Sequence, residues 1–197
     1  MTGAMAGSAA AFFRSTSDQL QVLTLTVNNQ CNLSCPHCYL QYDGQRTRLS
    51  DDTLRLVEDS DIPHVAIVGK EPLLDRASTG ICERIAIGRR RRGQSTSLIT
   101  NGLGLRHMSP EGLDAMSWLD VSLDGGPQTY RSYRRAQYRT VATQVAQALQ
   151  AGLRAAHAMN TLSSATLQNL DDMMAIGDDA PWTRIFFSPF IPARTQG

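Results

Sequence analysis

Leu23-Thr24-Leu25-Thr26-Val27-Asn28-Asn29-Gln30-Cys31-Asn32-Leu33-Ser34-Cys35-Pro36-His37-Cys38-Tyr39 is a β-branched, alternating run followed at once by three of the chain's four cysteines. The first five residues predict a strand, and the thiols occupy the loop that leaves it. Their spacing is C-x3-C-x2-C. Three thiolates converging on one point suit an iron–sulfur cluster, whose irons are held by cysteine sulfur. On a cubane cluster, three protein ligands leave one iron with an open position, and an open metal position is where chemistry takes place.

Two other chemistries remain open on these residues. A structural zinc site needs four ligands, usually as two close pairs. Here only Cys82 is left over, without a C-x-x-C partner, and His37 adjoins Cys38, which makes sharing one tetrahedral ion awkward. Cys35-Pro36-His37-Cys38 also matches the C-x-x-C of thioredoxin-like thiol oxidoreductases. That motif needs no third cysteine upstream, and it expects a helix beginning at its first cysteine. Here Gln41-Tyr42-Asp43-Gly44, a turn-like run, follows instead.

The whole chain narrows the classes further. Its 197 residues, 42% hydrophobic and 19% charged, are ordinary for one globular domain with a sizeable core. A formal net charge of +1 gives no bulk attraction to nucleic acid or membrane. No apolar run approaches a membrane span. Clustered thiols without a disulfide-scaffold pattern fit a reducing, cytoplasmic setting. Residues 1–21 read as a flexible N-terminal arm and 22–197 as the core domain.

Beyond the cysteines, strands are predicted over 64–68, 97–99, 119–123, 154–160 and 183–188. Helices are predicted from a Ser50 N-cap, and over 75–92, 110–116, 140–151 and 167–176. Arg89, Arg90, Arg91 and Arg92 read as the solvated C-terminus of the second helix, favoured by its dipole, with an anionic partner as the alternative. Cys82, among Ile81, Ile85 and Ile87 in that helix, reads as a core thiol. Strand and helix alternate without a hairpin signal, which implies α/β architecture with a parallel sheet and right-handed crossovers. In such sheets functional groups collect at the carboxyl ends of strands. The cysteines, Gly69-Lys70-Glu71-Pro72, Thr100-Asn101-Gly102 and Ser122-Leu123-Asp124-Gly125 all fall there.

With these pieces the chain resembles the radical S-adenosylmethionine enzymes. Cys31, Cys35 and Cys38 match the cluster motif, and Gly69-Lys70-Glu71-Pro72 stands in place of the usual GGEP. Asn101-Gly102, Ser122-Leu123-Asp124-Gly125, and Met159-Asn160-Thr161 through Asn169 also match, so the likeness spans residues 23–190. The SLDG run is similar to that of the branch containing peptide- and protein-modifying enzymes. The resemblance implies a partial (β/α)6 TIM-like barrel open on one side, a [4Fe–4S] cluster on Cys31, Cys35 and Cys38, and S-adenosyl-L-methionine as second cofactor. An external one-electron reductant is implied too. The substrate is a peptide, a protein or a small molecule.

The resemblance also implies roles. Gly69, Lys70 and Glu71 lie where the methionine ammonium is received, and Ser122 and Asp124 where ribose hydroxyls are held. Asn101 and Asn160 belong to the same cofactor site. Arg134, with Arg135 next in line, would meet the methionine carboxylate, and His37 would lay a planar ring against the cofactor. Lys70 departs from the family's glycine, so its side chain must point away or serve a polar role. Six strands leave a gap that a large substrate, a second subunit or a further C-terminal segment must fill, with Phe186, Phe187, Phe190 and Ile191 as apolar surface. The alternative within this fold is a non-catalytic iron–sulfur or electron-transfer protein.

Overall fold

The structure is a computed structural model and describes residues 20–38, 40, 45–178 and 181–189. Nearly all of the expected arm, and Phe190 and Ile191, lie outside the described residues. Six strands form one sheet in the order of the chain, every neighbouring pair parallel. They are β1 (Val22–Thr26), β2 (His64–Val68), β3 (Ser95–Thr100), β4 (Trp118–Ser122), β5 (Ala156–Leu162) and β6 (Arg184–Pro189). The crossovers carry α1 (Asp51–Asp59), α2 (Arg76–Arg91), a 3-10 turn (Leu105–His107) with α3 (Pro110–Ala115), α4 (Pro127–Arg134) with α5 (Tyr138–Gln150), and α6 (Ser164–Leu167) with α7 (Leu170–Asp178). A parallel sheet wound in one sequential direction with crossovers of one hand keeps its helices on one face. The result is the partial (β/α)6 barrel, open on one side.

Alternation along the strands divides the two faces. Val65 and Ile67, Leu119 and Val121, and Ala156 and Ala158 join the core with Leu54, Val57, Cys82, Ile85, Val141 and Val145 of the helices. The intervening residues His64, Ala66, Trp118, Asp120, Ser122, His157 and Met159 are half-buried and line the concave face. No helix among the described residues is long and apolar enough to cross a membrane.

Local chemistry explains most boundaries. Ser50 caps α1 by accepting from Thr53 N–H at 3.2 Å, with Asp51 and Asp52 in the first turn. Asp75 caps α2 by accepting from Ser78 N–H at 2.8 Å, and Ser109 caps α3. β3 begins earlier than the sequence predicts because the ladder to β2 extends to Ser95 and Thr96. The helix expected over 167–176 is two helices, since Ser163 and Thr166 close a capping box that starts α6 earlier.

The arginine run corrects an expectation. Arg89 is fully buried and donates to Val57 O, Ser60 Oγ and Ile62 O, so it satisfies carbonyls at the C-terminal end of α1. Burial lowers its pKa to about 10, with neighbouring Arg92 adding to the effect. Arg90, Arg91 and Arg92 pair with Asp114, Glu111 and Asp61. The run therefore ties α2 to α1 and α3, and is neither simply solvated nor free for an anionic partner.

Candidate active site

The carboxyl edge of the sheet carries the cysteine loop. Cys31, Cys35 and Cys38 are free thiols, the first two half-buried and the third exposed. Burial pushes Cys31 and Cys35 up; Leu33 N–H opposes this at Cys31, and Arg134 opposes it at Cys35. Ionising Cys31 is further opposed by Cys38, and ionising Cys35 by both Cys31 and Cys38, so the three thiols share one neighbourhood. Among the described residues no three His, Cys, Asp or Glu side chains converge to hold a single ion. A cubane distributes its cysteines over separate irons, which this arrangement fits. Polar donors face the sulfurs: Leu33 N–H is 3.3 Å from Cys31 Sγ, Asn101 Nδ2 is 3.9 Å from Cys31 Sγ, and Arg134 Nη1 is 4.0 Å from Cys35 Sγ. Cys82 stands apart, fully buried with Sγ 3.8 Å from Pro72 O, and burial pushes its thiol far up.

Behind this loop lies a buried brace. Glu71 is 0% exposed and accepts from Leu73 N–H (3.0 Å), Thr100 Oγ1 (2.6 Å) and Asn101 N–H (2.8 Å). Burial raises its pKa, against the lowering effect of those hydrogen bonds. Its carboxylate is therefore neither a solvated loop charge nor open toward a ligand; it locks the loop after β2 to the loop after β3. Asn28, which sequence reasoning passed over, donates to Glu71 O (2.9 Å) and Ser78 Oγ (3.2 Å) and accepts from Gln30 N–H. It fastens the start of the cysteine loop to the same brace. Asn101 extends it by donating to Asn32 Oδ1 at 2.8 Å. A Cβ on Gly69 would meet Asn28 O at 3.0 Å. Lys70 is not among the positive-φ residues, so the side chain replacing the family's glycine imposes no left-handed backbone there.

Asp124 is the second knot. Its φ is 62°, in the left-handed region that short polar side chains tolerate better than most. Its carboxylate is 1% exposed and contacts His37 Nε2 (2.8 Å), Arg134 Nε (2.7 Å) and Thr161 N–H (2.8 Å). Burial works to raise the Asp124 pKa, but the His37 hydrogen bond and the Arg134 charge bring it down to about 2. Arg134 is buried in the last turn of α4, while Arg135 caps that helix in the left-handed region and is exposed. His37 stacks on Tyr133 with centroids 4.3 Å apart and planes 2° from parallel. Asn160 is also engaged: it accepts from Gly125 N–H (3.1 Å) and donates to Phe186 O (3.2 Å). Ser122 alone of these expected ligands has a hydroxyl without a hydrogen-bond partner among the described residues.

Deeper on the concave face is a polar and aromatic group that the sequence does not single out. His64 bonds Ser95 Oγ (2.7 Å) and Ser97 Oγ (3.0 Å) and stacks on Trp118. Asp120 accepts from Trp118 Nε1 (3.1 Å) and meets His157 Nδ1 at 3.0 Å. The available signal was a polar residue at alternate positions of otherwise apolar strands.

The Radical SAM superfamily sequence model matches residues 25–175. The chain belongs to this superfamily. Members hold a [4Fe–4S] cluster and S-adenosylmethionine, and the donor set described above fits that pair. GTP 3',8-cyclase of Streptomyces coelicolor is 34% identical over 146 residues, covering 66% of this chain and 41% of that protein. A probable GTP 3',8-cyclase of Methanococcus aeolicus is 26% identical over 164 residues, covering 79% of the chain and 55% of that protein. Thus the chain spans about half the length of these relatives or less. Among solved structures, Streptococcus suis SuiB superposes with a TM-score of 0.68 at 12% identity, over 95% of this chain and 44% of that one. The anSMEcpe enzyme with bound AdoMet and a Kp18Cys peptide gives 0.62 at 17% identity, over 86% of this chain and 51% of that one. At these identities the structural likeness speaks for the radical SAM fold.

Proposed function

We propose that this chain is the catalytic core of a radical SAM enzyme, in which Cys31, Cys35 and Cys38 hold the cluster. The observation that carries this is the meeting of the three thiols with Arg134 and the Asp124 knot at one carboxyl edge of the sheet. When bound, the two cofactors would supply one-electron radical chemistry, in which S-adenosylmethionine is reductively cleaved to 5′-deoxyadenosine and a hydrogen atom is taken from substrate. This chain's residues bind and orient. Backbone carbonyls at Gly69 and Lys70 would receive the methionine ammonium, with Glu71, whose own carbonyl is held by Asn28, acting as their brace. Arg134 meets the methionine carboxylate, and Ser122 holds a ribose hydroxyl. Asp124, Asn101 and Asn160 fix those groups in place, while His37 stacks beside the cluster. Substrate, a partner or a further segment covers the open side and excludes water.

The substrate is a peptide or protein, in line with the SLDG resemblance and with neighbours such as SuiB, solved with the precursor peptide SuiA. A nucleotide substrate is the second reading, favoured by the 34% identity to a GTP 3',8-cyclase. The test is anaerobic reconstitution followed by reduction with S-adenosylmethionine and measurement of 5′-deoxyadenosine. Wild type and Cys82→Ala are expected to bind about four irons per chain and release it; Cys31→Ala is expected to do neither. A cluster lost in Cys82→Ala and retained in Cys31→Ala refutes the assignment. GTP-stimulated release, with no response to peptides, would favour the nucleotide reading.

A further inference from the structure

Between Asp124 and Asp171 the chain carries no Asp or Glu and five arginines: Arg131, Arg134, Arg135, Arg139 and Arg154. The net charge of +1 hides this segregation. Elsewhere Arg84 pairs with Glu58, and Arg90, Arg91 and Arg92 pair with Asp114, Glu111 and Asp61, whereas Arg46, Arg76, Arg106 and Arg184 are exposed without an ion pair among the described residues. Arg131, Arg135 and Arg139 are exposed and have no ion-pair partner among the described residues. They surround the corner where α4 ends and α5 begins. The C-terminal dipole of α4 favours cations there but does not neutralise them.

This corner is fastened to the cysteine loop. Tyr133 stacks on His37 at 4.3 Å, and Arg134 reaches to 4.0 Å from Cys35 Sγ. The end of α4 is thus linked to a cluster-binding thiol through the side chain of Arg134. We propose that Arg131, Arg135 and Arg139 form the docking surface for an acidic, one-electron carrier protein that reduces the cluster held by Cys31, Cys35 and Cys38. The inference rests on the proposed function and adds the partner's chemistry and its place. One electron passes from the reduced carrier to the cluster, and no bond forms or breaks. Complementary charge steers encounter, typically raising association rates by about 10- to 1000-fold and making them fall with ionic strength.

The probe is a flavodoxin, an acidic flavin carrier, used with the full chain. Binding is read from flavin anisotropy on the apo chain, and reduction from bleaching of the cluster absorbance after reconstitution. Replacing all three arginines (R131Q/R135Q/R139Q) is expected to weaken binding and slow carrier-driven reduction at least tenfold at low salt, and to flatten the salt dependence. Reduction by dithionite should be unchanged. Arg154→Glu, just before the amino end of β5, should leave both readouts as in wild type. If the triple variant does not fold, single Arg→Gln variants carry the test, each expected to cost about two- to threefold. Unchanged binding and carrier rate in variants that fold overturn the proposal, and so does equal slowing with dithionite. A chain reduced normally by flavodoxin but releasing no 5′-deoxyadenosine would refute the proposed function and leave this surface standing.

Discussion

Asp124 combines a left-handed backbone with a buried carboxylate whose partners come from three places: the cysteine loop, α4 and β5. With its pKa held near 2 in the fold against roughly 3.9 in an unfolded chain, the sign is fixed. Its contribution is fully present above the unfolded value and is lost as pH falls through about 4 toward 2. The size is about 2–3 kcal/mol. Urea unfolding of the apo chain should therefore lose stability between pH 5 and 3, and Asp124→Asn should lose less over that interval. Equal slopes would show that this carboxylate is not held by its neighbours. Glu71 makes a different prediction. Removing it orphans the Leu73 and Asn101 amides and the Thr100 hydroxyl. Glu71→Ala should cost about 2–4 kcal/mol in urea and weaken cofactor affinity through the loosened loop. Glu71→Gln should recover part of both. Full stability with lost affinity would instead make Glu71 a direct ligand.

At the scale of elements, capping shows how much was legible in the sequence. Ser50, Asp75 and Ser109 each cap a helix with their own side chain, and the starts of α1, α2 and α3 could be read locally. α4 could not. Its N-cap, Gly126, offers no side chain, and the Gln128 and Thr129 amides are satisfied at 3.0 and 2.8 Å by Asp172 of α7. The same distinction runs through the site. Short motifs located the carboxyl edge, because glycines and cysteines at strand ends have few structural excuses. They did not show that Glu71 and Asp124 face inward, since that depends on Thr100, Asn28 and Arg134 arriving from other elements. The α4–α7 contact is also testable. A Cβ on Gly126 would lie 1.7 Å from Asp172 O, so Gly126→Ala must push α7 away. The expected result is a loss of about 2–4 kcal/mol with weakened protection of the Arg134 region in hydrogen exchange. An unaltered unfolding midpoint would mean the two helices separate at little cost.

Across the whole molecule, the sheet has two unpaired edges and a concave face that the described residues leave uncovered. Phe186 and Phe187 on β6 are 39% and 47% exposed, so the part of the expected apolar surface that lies within the described residues is present. Trp118 lies on the concave face, stacked on His64, whereas Trp182 is buried. Acrylamide should quench Trp118 readily and Trp182 poorly. Trp118→Phe should thus leave a bluer, protected emission, and Trp182→Phe the reverse. Equal protection in both variants would mean that the face is covered in the isolated chain.

Strand order equal to chain order has a consequence for biosynthesis. Each new strand pairs with the one made before it, so the sheet can grow from its β1 edge as the polypeptide leaves the ribosome. The cysteines emerge first, and the Glu71 brace closes as soon as Asn101 has appeared. The Asp124 carboxylate and the Arg134 guanidinium come later, and the Asp172 that anchors α4 later still. For that interval the nascent chain presents its thiols without the cation that stands beside Cys35. Metal delivered during translation would meet a looser loop than the finished protein offers. Chains released before cluster insertion should accordingly be the more reliable substrate for assembly.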